Sequence, residues 1–509
     1  MYNRFTSNVL SWSPENLIVV SSGREVTITV NPTSPNHRIV LLILLTILVF
    51  HAWLASYSRE EESGRTTYYY TYLSQAFLQG DLHLPLRPDP QLLAMEDPYD
   101  LSARAELEKR GAITPVDFSL YKGKFYLYWG PVPALLLSSI QIFSQQPQPV
   151  ADFFLAFLFG VGILLAQTLL LTALWRQYFT ALPAWTYYII LFLAGLLWPV
   201  GLLRHEHNYA RIYEAAIAAG QFFMICGLWM VFIAIVKRSM PNWRLTLAGF
   251  LWVLAIGSRQ LLLVPISFMV VLTMLWVIRT RSEFSTKMLK VSLLTFPLAL
   301  GGALLAWYNW ARFGSITETG YTYQLAGVDL SNHFGQLFSG SYVIQNVYNY
   351  LLNPPHMMFE FPFVAMLKGN KSPGLDFYYA EPMTGLLYMF PFAVFAAVPL
   401  VLYFLNRSNA NQPANSGGEN DLGPLHWITL NLTGSFLVAF FLLMFFFWAG
   451  MRYAADFLPT LTMLSAIGFW QGYHVLGQKF PAKTYYGIAG MILSGISIVV
   501  STLLAISTI

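Results

Sequence analysis

The residues best suited to chemistry lie in one polar and aromatic stretch, 57–129, between two apolar segments of the chain. Its acidic candidates are three consecutive glutamates near its start and one aspartate near its end, Glu60, Glu61, Glu62 and Asp117. Two lysines, Lys122 and Lys124, follow the aspartate. A carboxylate can accept a proton from a reacting hydroxyl group, and a cation can stabilise a developing negative charge. The pattern therefore predicts that any active site of the protein faces this stretch.

Most of the remaining chain has the composition of membrane-spanning helices. Only 11% of the 509 residues are charged and 56% are hydrophobic, whereas soluble domains carry about 25% charged residues. The basic residues are too few and too scattered for a nucleic-acid surface. We therefore predict an all-α, polytopic transmembrane bundle of about 11–13 spans with two large loops. Twelve apolar runs approach the ~20 residues that cross a bilayer core: 39–55, 127–143, 151–174, 183–203, 212–236, 245–257, 260–278, 289–311, 384–405, 426–449, 455–473 and 485–507.

The distribution of lysine and arginine indicates the orientation of these spans. Basic loops of polytopic proteins stay in the cytoplasm, which predicts that the segments 237–244, 279–290 and 479–483 are cytoplasmic. The N-terminal segment is also expected there. The two large loops, 57–126 and 312–382, then face the non-cytoplasmic side of an inner (plasma) membrane.

The number of crossings is inconsistent with this orientation if every apolar run spans the membrane once. One stretch between 127 and 278 must therefore be re-entrant, or two runs must merge. For 245–278 we favour a hairpin over one long crossing, because Arg259 lies at its centre and a charge at mid-bilayer depth is costly.

Several segments, in this order, resemble GT-C glycosyltransferases of the protein-mannosyltransferase-like and RgtA-like branch, and in particular a bacterial subgroup of it. The segment 69–82 looks like the amphipathic helix that follows the first span in that branch. The other matching segments are Gly123–Pro131, Asn309–Gly314 and Arg452–Phe457. The resemblance implies four regions: a cytoplasmic segment 1–38, a GT-C-like membrane module 39–311 with the loop 57–126, a second outer loop 312–383, and C-terminal membrane helices 384–509.

The resemblance also implies an activity. GT-C enzymes transfer a sugar from a polyprenyl-phosphate donor, here to a lipid, glycan or protein acceptor, by an inverting single displacement. Nothing in the sequence requires a metal or another cofactor. In the family an aspartate ahead of the amphipathic helix is the catalytic base, but counting back from Gly80 by the family's spacing reaches Arg65 and Thr66. The base is then one of the upstream glutamates, or it lies elsewhere.

For the base we rank Glu61 and Glu62 first, Glu60 third and Asp117 next. The glutamates could equally form a solvated acidic cluster at the end of a span. Asp117 could equally be a turn or helix-cap residue.

For the donor phosphate we expect Arg452 first and Arg259 second, with Lys122 and Lys124 as further candidates. Arg452 precedes Asp456 by about one helical turn, so an ion pair within one helix is an alternative role. The lysines could instead extend to the membrane interface beside their aromatic neighbours.

Four residues of the second loop are candidates for a sugar-binding wall, Tyr321, Tyr323, Gln324 and Asn349. The alternative is an interfacial aromatic belt, where tyrosine is common in any membrane protein. The polar segment 204–214 contains two histidines and two glutamates but matches no recognised metal-site spacing. Helix caps and ion pairs explain it better.

Two rival functions belong to other classes. A transporter or flippase of lipid-linked glycans should carry ionisable residues at mid-membrane on broken helices, whereas most ionisable residues here lie in loops or at span ends. A non-catalytic membrane scaffold with the same fold would explain the displaced family aspartate, because a fold does not carry function by itself.

Overall fold

The computed structural model describes residues 12–13, 16–21, 24–28, 35–60, 67–144, 148–199, 212–237, 242–409, 423–478 and 481–507. Glu61 and Glu62 lie outside the described residues, as do both histidines of the segment 204–214. Glu60 is the last residue of the first helix.

Long apolar helices make up most of the described chain, which confirms the predicted all-α polytopic membrane fold. By length and composition, seven of them can cross a membrane: His37–Ser56, Asp152–Phe179, Ile212–Val236, Gln260–Arg279, Phe284–Phe313, Gly423–Met444 and Ala482–Ile506. Shorter helices complete the bundle: Ala184–Leu196, Asn242–Ser258, Val398–Asn409 and Leu458–Val475. Further helices lie in the loops: Tyr69–Leu78, Pro90–Leu93, Leu101–Lys109, Val132–Gln141, Val343–Val347, Leu386–Met389 and Met451–Ala454.

The seven candidate spans and the four shorter helices pack side by side in the described part of the chain. Neighbouring helices run in opposite directions, as where Thr172 bonds to Tyr187 and where Trp252 bonds to the Met224 carbonyl oxygen. The two large loops bond to each other through their backbones and so lie at the same end, which we call the loop end. The basic residues Lys237, Arg279 and Arg281 lie at the opposite end.

The helix Val132–Gln141 resolves the inconsistent crossing number, because it does not span the bundle. It lies against the helix Tyr69–Leu78, and Ser138 bonds to Ser74 across the two. The next span starts at Asp152, whose carboxylate accepts the backbone N–H groups of Tyr69 and Tyr70 at 2.9 and 3.1 Å. The apolar run 127–143 thus begins and ends at the loop end, and the prediction that it could be a span is wrong.

The stretch 245–278 forms the predicted hairpin. The helix Asn242–Ser258 ends one residue before Arg259, whose backbone is extended, and a short turn leads into the helix Leu263–Arg279. Arg259 therefore lies at the loop end rather than at mid-membrane depth, as the cost of a buried charge requires.

Short β-pairings order the two loops. Ser119–Tyr121 and Lys124–Tyr126 form an antiparallel hairpin whose turn residues, Lys122 and Gly123, both have positive φ, as a two-residue type I′ turn requires. In the second loop, His356–Met357 pairs with Val364–Ala365, Leu367–Lys368 with Pro382–Met383, and Tyr379–Ala380 with Trp448–Ala449. Near the N-terminus, Trp12–Ser13, Asn16–Ser21 and Arg24–Ile28 form a small antiparallel sheet.

Gly130 marks the closest approach between the first loop and the bundle. A Cβ atom at Gly130 would lie 2.0 Å from the carbonyl oxygen of Gly257, near the end of the helix Asn242–Ser258. The backbones at Gly130 and Gly257 cannot move apart unless a whole segment or helix shifts. The glycine therefore lets the segment before Val132 lie directly against the helix that leads to Arg259.

We expect Gly130→Ala to destabilise the protein, because overpacking at a rigid contact costs about 1–3 kcal/mol. The measurement is the melting temperature of the purified protein in detergent. Gly495→Ala is the control, since a Cβ atom at that helical glycine meets nothing within 4 Å and alanine favours the helix. Equal melting temperatures for the two variants would contradict the close approach.

Candidate functional site

Asp117 lies where the two loops join. It precedes the Ser119–Tyr126 hairpin and has a left-handed backbone, with φ of 68°. Its N–H donates to the Leu325 carbonyl oxygen, and Leu120 N–H donates to that of Tyr323. Ser119 Oγ donates to the Gly320 carbonyl oxygen at 2.7 Å. These bonds fix the segment 117–120 against the segment 320–325.

The Asp117 carboxylate is buried and held by two side chains from different elements. Its Oδ1 accepts from Gln324 Nε2 at 2.7 Å and from the Tyr213 hydroxyl at 3.1 Å. Burial raises the pKa of Asp117 above its ordinary value of 3.8, while Arg452 and these two hydrogen bonds act in the opposite direction. A buried carboxylate with a raised pKa is better suited to accept a proton than one in water.

Arg452 binds an acid that the sequence analysis did not identify. Its Nη2 lies 2.7 Å from Oε1 of Glu381, the last residue before the strand Pro382–Met383. The Trp448 indole N–H also donates to this oxygen at 2.7 Å. The Arg452 guanidinium lies 4.4 Å from the centre of the Tyr213 ring, so Tyr213 contacts both Asp117 and Arg452.

Asp456 pairs with Arg259 instead of Arg452. Arg259 donates to both Asp456 oxygen atoms, from Nε at 3.3 Å and from Nη2 at 2.7 Å. The alternative of a pair between Arg452 and Asp456 within one helix is therefore wrong. The helix Met451–Ala454 is a single turn that ends before Asp456, and the one-turn spacing no longer brings the two side chains together.

Aromatic rings surround these charges on the loop end of the bundle. Tyr321 packs edge-on against Tyr128 with ring centres 5.3 Å apart, and Trp129 packs edge-on against Tyr213 at 5.0 Å. Tyr321 is half-buried, and the charges of Asp117, Arg259 and Arg452 all act on its hydroxyl. Gln324 thus lies beside Asp117, and Tyr321 lies among the surrounding rings; that these two residues bind a sugar stays a prediction.

The other predicted site residues either lie on the exposed hairpin turn or already contact other parts of the protein. Lys122 and Lys124 are exposed at the hairpin turn. Tyr323 packs against Tyr121, with ring centres 4.5 Å apart. Asn349 is buried: its amide group donates to the Asn370 carbonyl oxygen and the Tyr378 hydroxyl, and its oxygen accepts from Asn370 N–H.

Glu381 and Tyr213 were not among the site residues predicted from the sequence. A signal for Glu381 existed, because an arginine beside a span needs a partner and Glu381 is the acid immediately ahead of the apolar run 384–405. Tyr213 carried no such signal, since it is one of 29 tyrosines and its position depends on the packing of the whole bundle.

Comparison with known proteins found no matching protein-family model and no matching curated protein. Among solved structures, the chain is similar to the oligosaccharyltransferase of Archaeoglobus fulgidus. The apo form aligns with a TM-score of 0.48 at 13% identity, over 92% of this chain and 55% of that one. Its complex with an inhibitory peptide and a dolichol-phosphate aligns with a TM-score of 0.40 at 13% identity, over 91% and 55%. The chain spans about half the length of these structures.

The Arg259–Asp456 pair can be tested by a double-mutant cycle. We expect Arg259→Met or Asp456→Leu alone to destabilise the protein by about 3–5 kcal/mol, because each leaves a buried charge uncompensated. The double variant should be more stable than either single variant. The measurement is detergent melting temperature at neutral pH, and additive losses would contradict a direct pair.

Proposed function

We propose that the chain is a membrane glycosyltransferase of GT-C type that transfers a sugar from a polyprenyl-phosphate donor to a lipid, glycan or protein acceptor. One observation carries the proposal: at the loop end of a membrane bundle, the buried carboxylate of Asp117 lies near the buried Arg452, and the partly buried Arg259 packs with Arg452 against the Tyr453 ring. A carboxylate that accepts a proton beside cations that stabilise a leaving phosphate is the equipment that such a transfer needs.

Asp117 is the candidate base that this arrangement favours. Its pKa is raised by burial, and it lies at the junction of both loops, where donor and acceptor can approach one another. Glu60, Glu61 and Glu62 remain candidates from the sequence, since their side chains lie outside the described part of the chain.

Arg259 is a suitable phosphate ligand as well as a partner of Asp456. The two hydrogen bonds to Asp456 use two of the five N–H donors of a guanidinium group. The remaining donors can bind a phosphate oxygen. Arg452, held by Glu381 over the Tyr213 ring, adds a second positive charge near Asp117.

An apolar groove next to Arg259 can take the isoprenoid tail of the donor. It has a volume of about 380 Å³ and lies between the helices Asn242–Ser258, Leu263–Arg279 and Phe284–Phe313, within the roughly 300–1,000 Å³ typical of small-molecule sites. Its lining includes Ile256 and Leu263, which flank Arg259 in the chain. The two hydroxyl groups in the lining, of Ser267 and Thr295, bond to carbonyl oxygens of their own helices, so the groove surface is apolar.

The charge distribution supports an orientation of the protein. The basic residues Lys237, Arg279, Arg281 and Lys483 lie at the end opposite the loop end, which favours a cytoplasmic location for that opposite end. The loop end, with Asp117 and both arginines, would then face the non-cytoplasmic side of the membrane.

Asp117→Asn tests the base directly. The asparagine oxygen can still accept from Tyr213 and Gln324, so the geometry is kept while the ionisable group is lost. We expect the transfer rate from labelled polyprenyl-phosphate sugars to fall about a hundredfold or more. Glu60→Gln, Glu61→Gln and Glu62→Gln are the matched controls. If one of these is inactive and Asp117→Asn is active, the base is that glutamate.

The pH dependence separates catalysis from folding. As a base, Asp117 must be ionised, so activity should fall as the pH drops through its raised pKa, above 3.8. Stability has the opposite sign: a carboxyl group whose folded-state pKa is raised stabilises the fold at low pH, and this contribution is lost as the pH rises through that pKa. Asp117→Asn should therefore not lower the melting temperature at neutral pH. A large loss of stability in Asp117→Asn would instead indicate a structural role for Asp117.

Failure of the wild-type protein to transfer any donor sugar would favour the transporter or scaffold function.

Gly302→Leu tests the groove. Gly302 lines it, and a Cβ atom there meets nothing within 4 Å, so leucine should fill the groove without disturbing the fold. We expect the KM for a long polyprenyl donor to rise at least tenfold, while the KM for a short-chain donor analogue changes little. Gly495→Ala, outside the groove, is the control; equal effects on both donors would exclude this groove as the tail site.

A further inference from the structure

A small hairpin in the second loop exposes an unusual concentration of large apolar side chains. Its strands are His356–Met357 and Val364–Ala365. Phe359 is fully exposed, and Met357 and Phe361 are 70% and 65% exposed. Phe363 is also exposed and packs edge-on against Phe361, with ring centres 5.9 Å apart. Contiguous apolar patches of this kind mark contacts with a partner or a membrane.

The base of this hairpin packs against a membrane span: the strand Val364–Ala365 contacts the helix Ala482–Ile506. On the same helix, Ser501 Oγ donates to the Met389 carbonyl oxygen, at the end of the short helix Leu386–Met389.

Apolar side chains continue from the membrane helices to the hairpin. On the helix Ala482–Ile506, Ile496 and Val499 face outward, and on the neighbouring segment Leu387 and Tyr388 do the same. In a membrane bundle, such outward-facing residues contact lipid. Because the base of the hairpin packs against this helix, the exposed phenylalanines belong to an element next to a lipid-facing surface, and aromatic residues are enriched at membrane interfaces.

We infer that the tip of this hairpin, residues 358–363, inserts into the surface layer of the bilayer at the loop end. The partner is the lipid itself: the aromatic rings contact the upper acyl chains, while Glu360 between them can extend to the headgroup layer. This inference does not depend on the proposed enzymatic activity.

The hairpin connects closely with the candidate site. It is followed by the strand Leu367–Lys368, which pairs with Pro382–Met383, and Gly369 N–H donates to the carbonyl oxygen of Glu381. Glu381 in turn holds Arg452. An inserted tip would therefore fix the height of this strand pair, and of the Glu381 carboxylate, relative to the membrane surface.

The test uses the full-length protein in nanodiscs that hold one copy each, with an environment-sensitive fluorophore on an introduced cysteine. Phe359→Cys and Glu360→Cys place the label on the tip. Ile113→Cys is the control, because Ile113 is also a strongly exposed apolar residue, in the first loop. The parent chain with its one cysteine, Cys226, is the labelling blank.

We expect nitroxide groups near the top of the lipid acyl chains to quench the label at 359 at least twofold more than the label at 113, with less quenching by aqueous iodide. The label at 360 keeps the test valid if the variant at 359 folds poorly. Equal quenching at tip and control positions would overturn the inference. Protection of the tip only in nanodiscs with two copies would also overturn it, because a second copy would then cover the patch.

Discussion

Two arginine–carboxylate pairs, in which three of the four side chains are buried, constrain the loop end of this protein. A guanidinium group removed from water needs compensating partners, because an uncompensated buried charge costs several kcal/mol. Arg259, at the tip of a helical hairpin, pairs with Asp456, and Arg452 pairs with Glu381 ahead of a later span. Each pair therefore ties together parts of the chain that are distant in sequence. The segment 445–457, which connects two helices of the bundle, supplies one residue to each pair, Arg452 and Asp456.

The same constraint organises the loops. Glu381 belongs to the second loop, which pairs through its backbone with the segment that carries Asp117. Tyr213, at the start of a membrane helix, contacts both Asp117 and Arg452. The ionisable groups consequently form one connected cluster instead of separate surface charges.

Features that depend on local composition were predictable from the sequence. Features that depend on contacts between distant segments of the chain were not. The lengths of the apolar runs predicted where the helices lie. The cost of a charge at mid-membrane depth predicted the turn at Arg259. The partner of Arg452 was not predictable from spacing, because the helix Met451–Ala454 ends before the expected acid. The pairing of 117–120 with 320–325 uses mostly backbone groups, which have no signature in the sequence. Asp117 was a candidate, but its hydrogen-bond partner Tyr213 became visible only in the fold.

The helix Val132–Gln141 has a consequence for how the protein is inserted into its membrane during synthesis. Its 10 helical residues extend about 15 Å, half of a hydrocarbon core of about 30 Å. The insertion machinery must therefore release this apolar segment to the side from which it came, where the helix Tyr69–Leu78 covers it. Topology reporters fused after residue 78 and after residue 144 would consequently report the same compartment, although an apolar segment separates them.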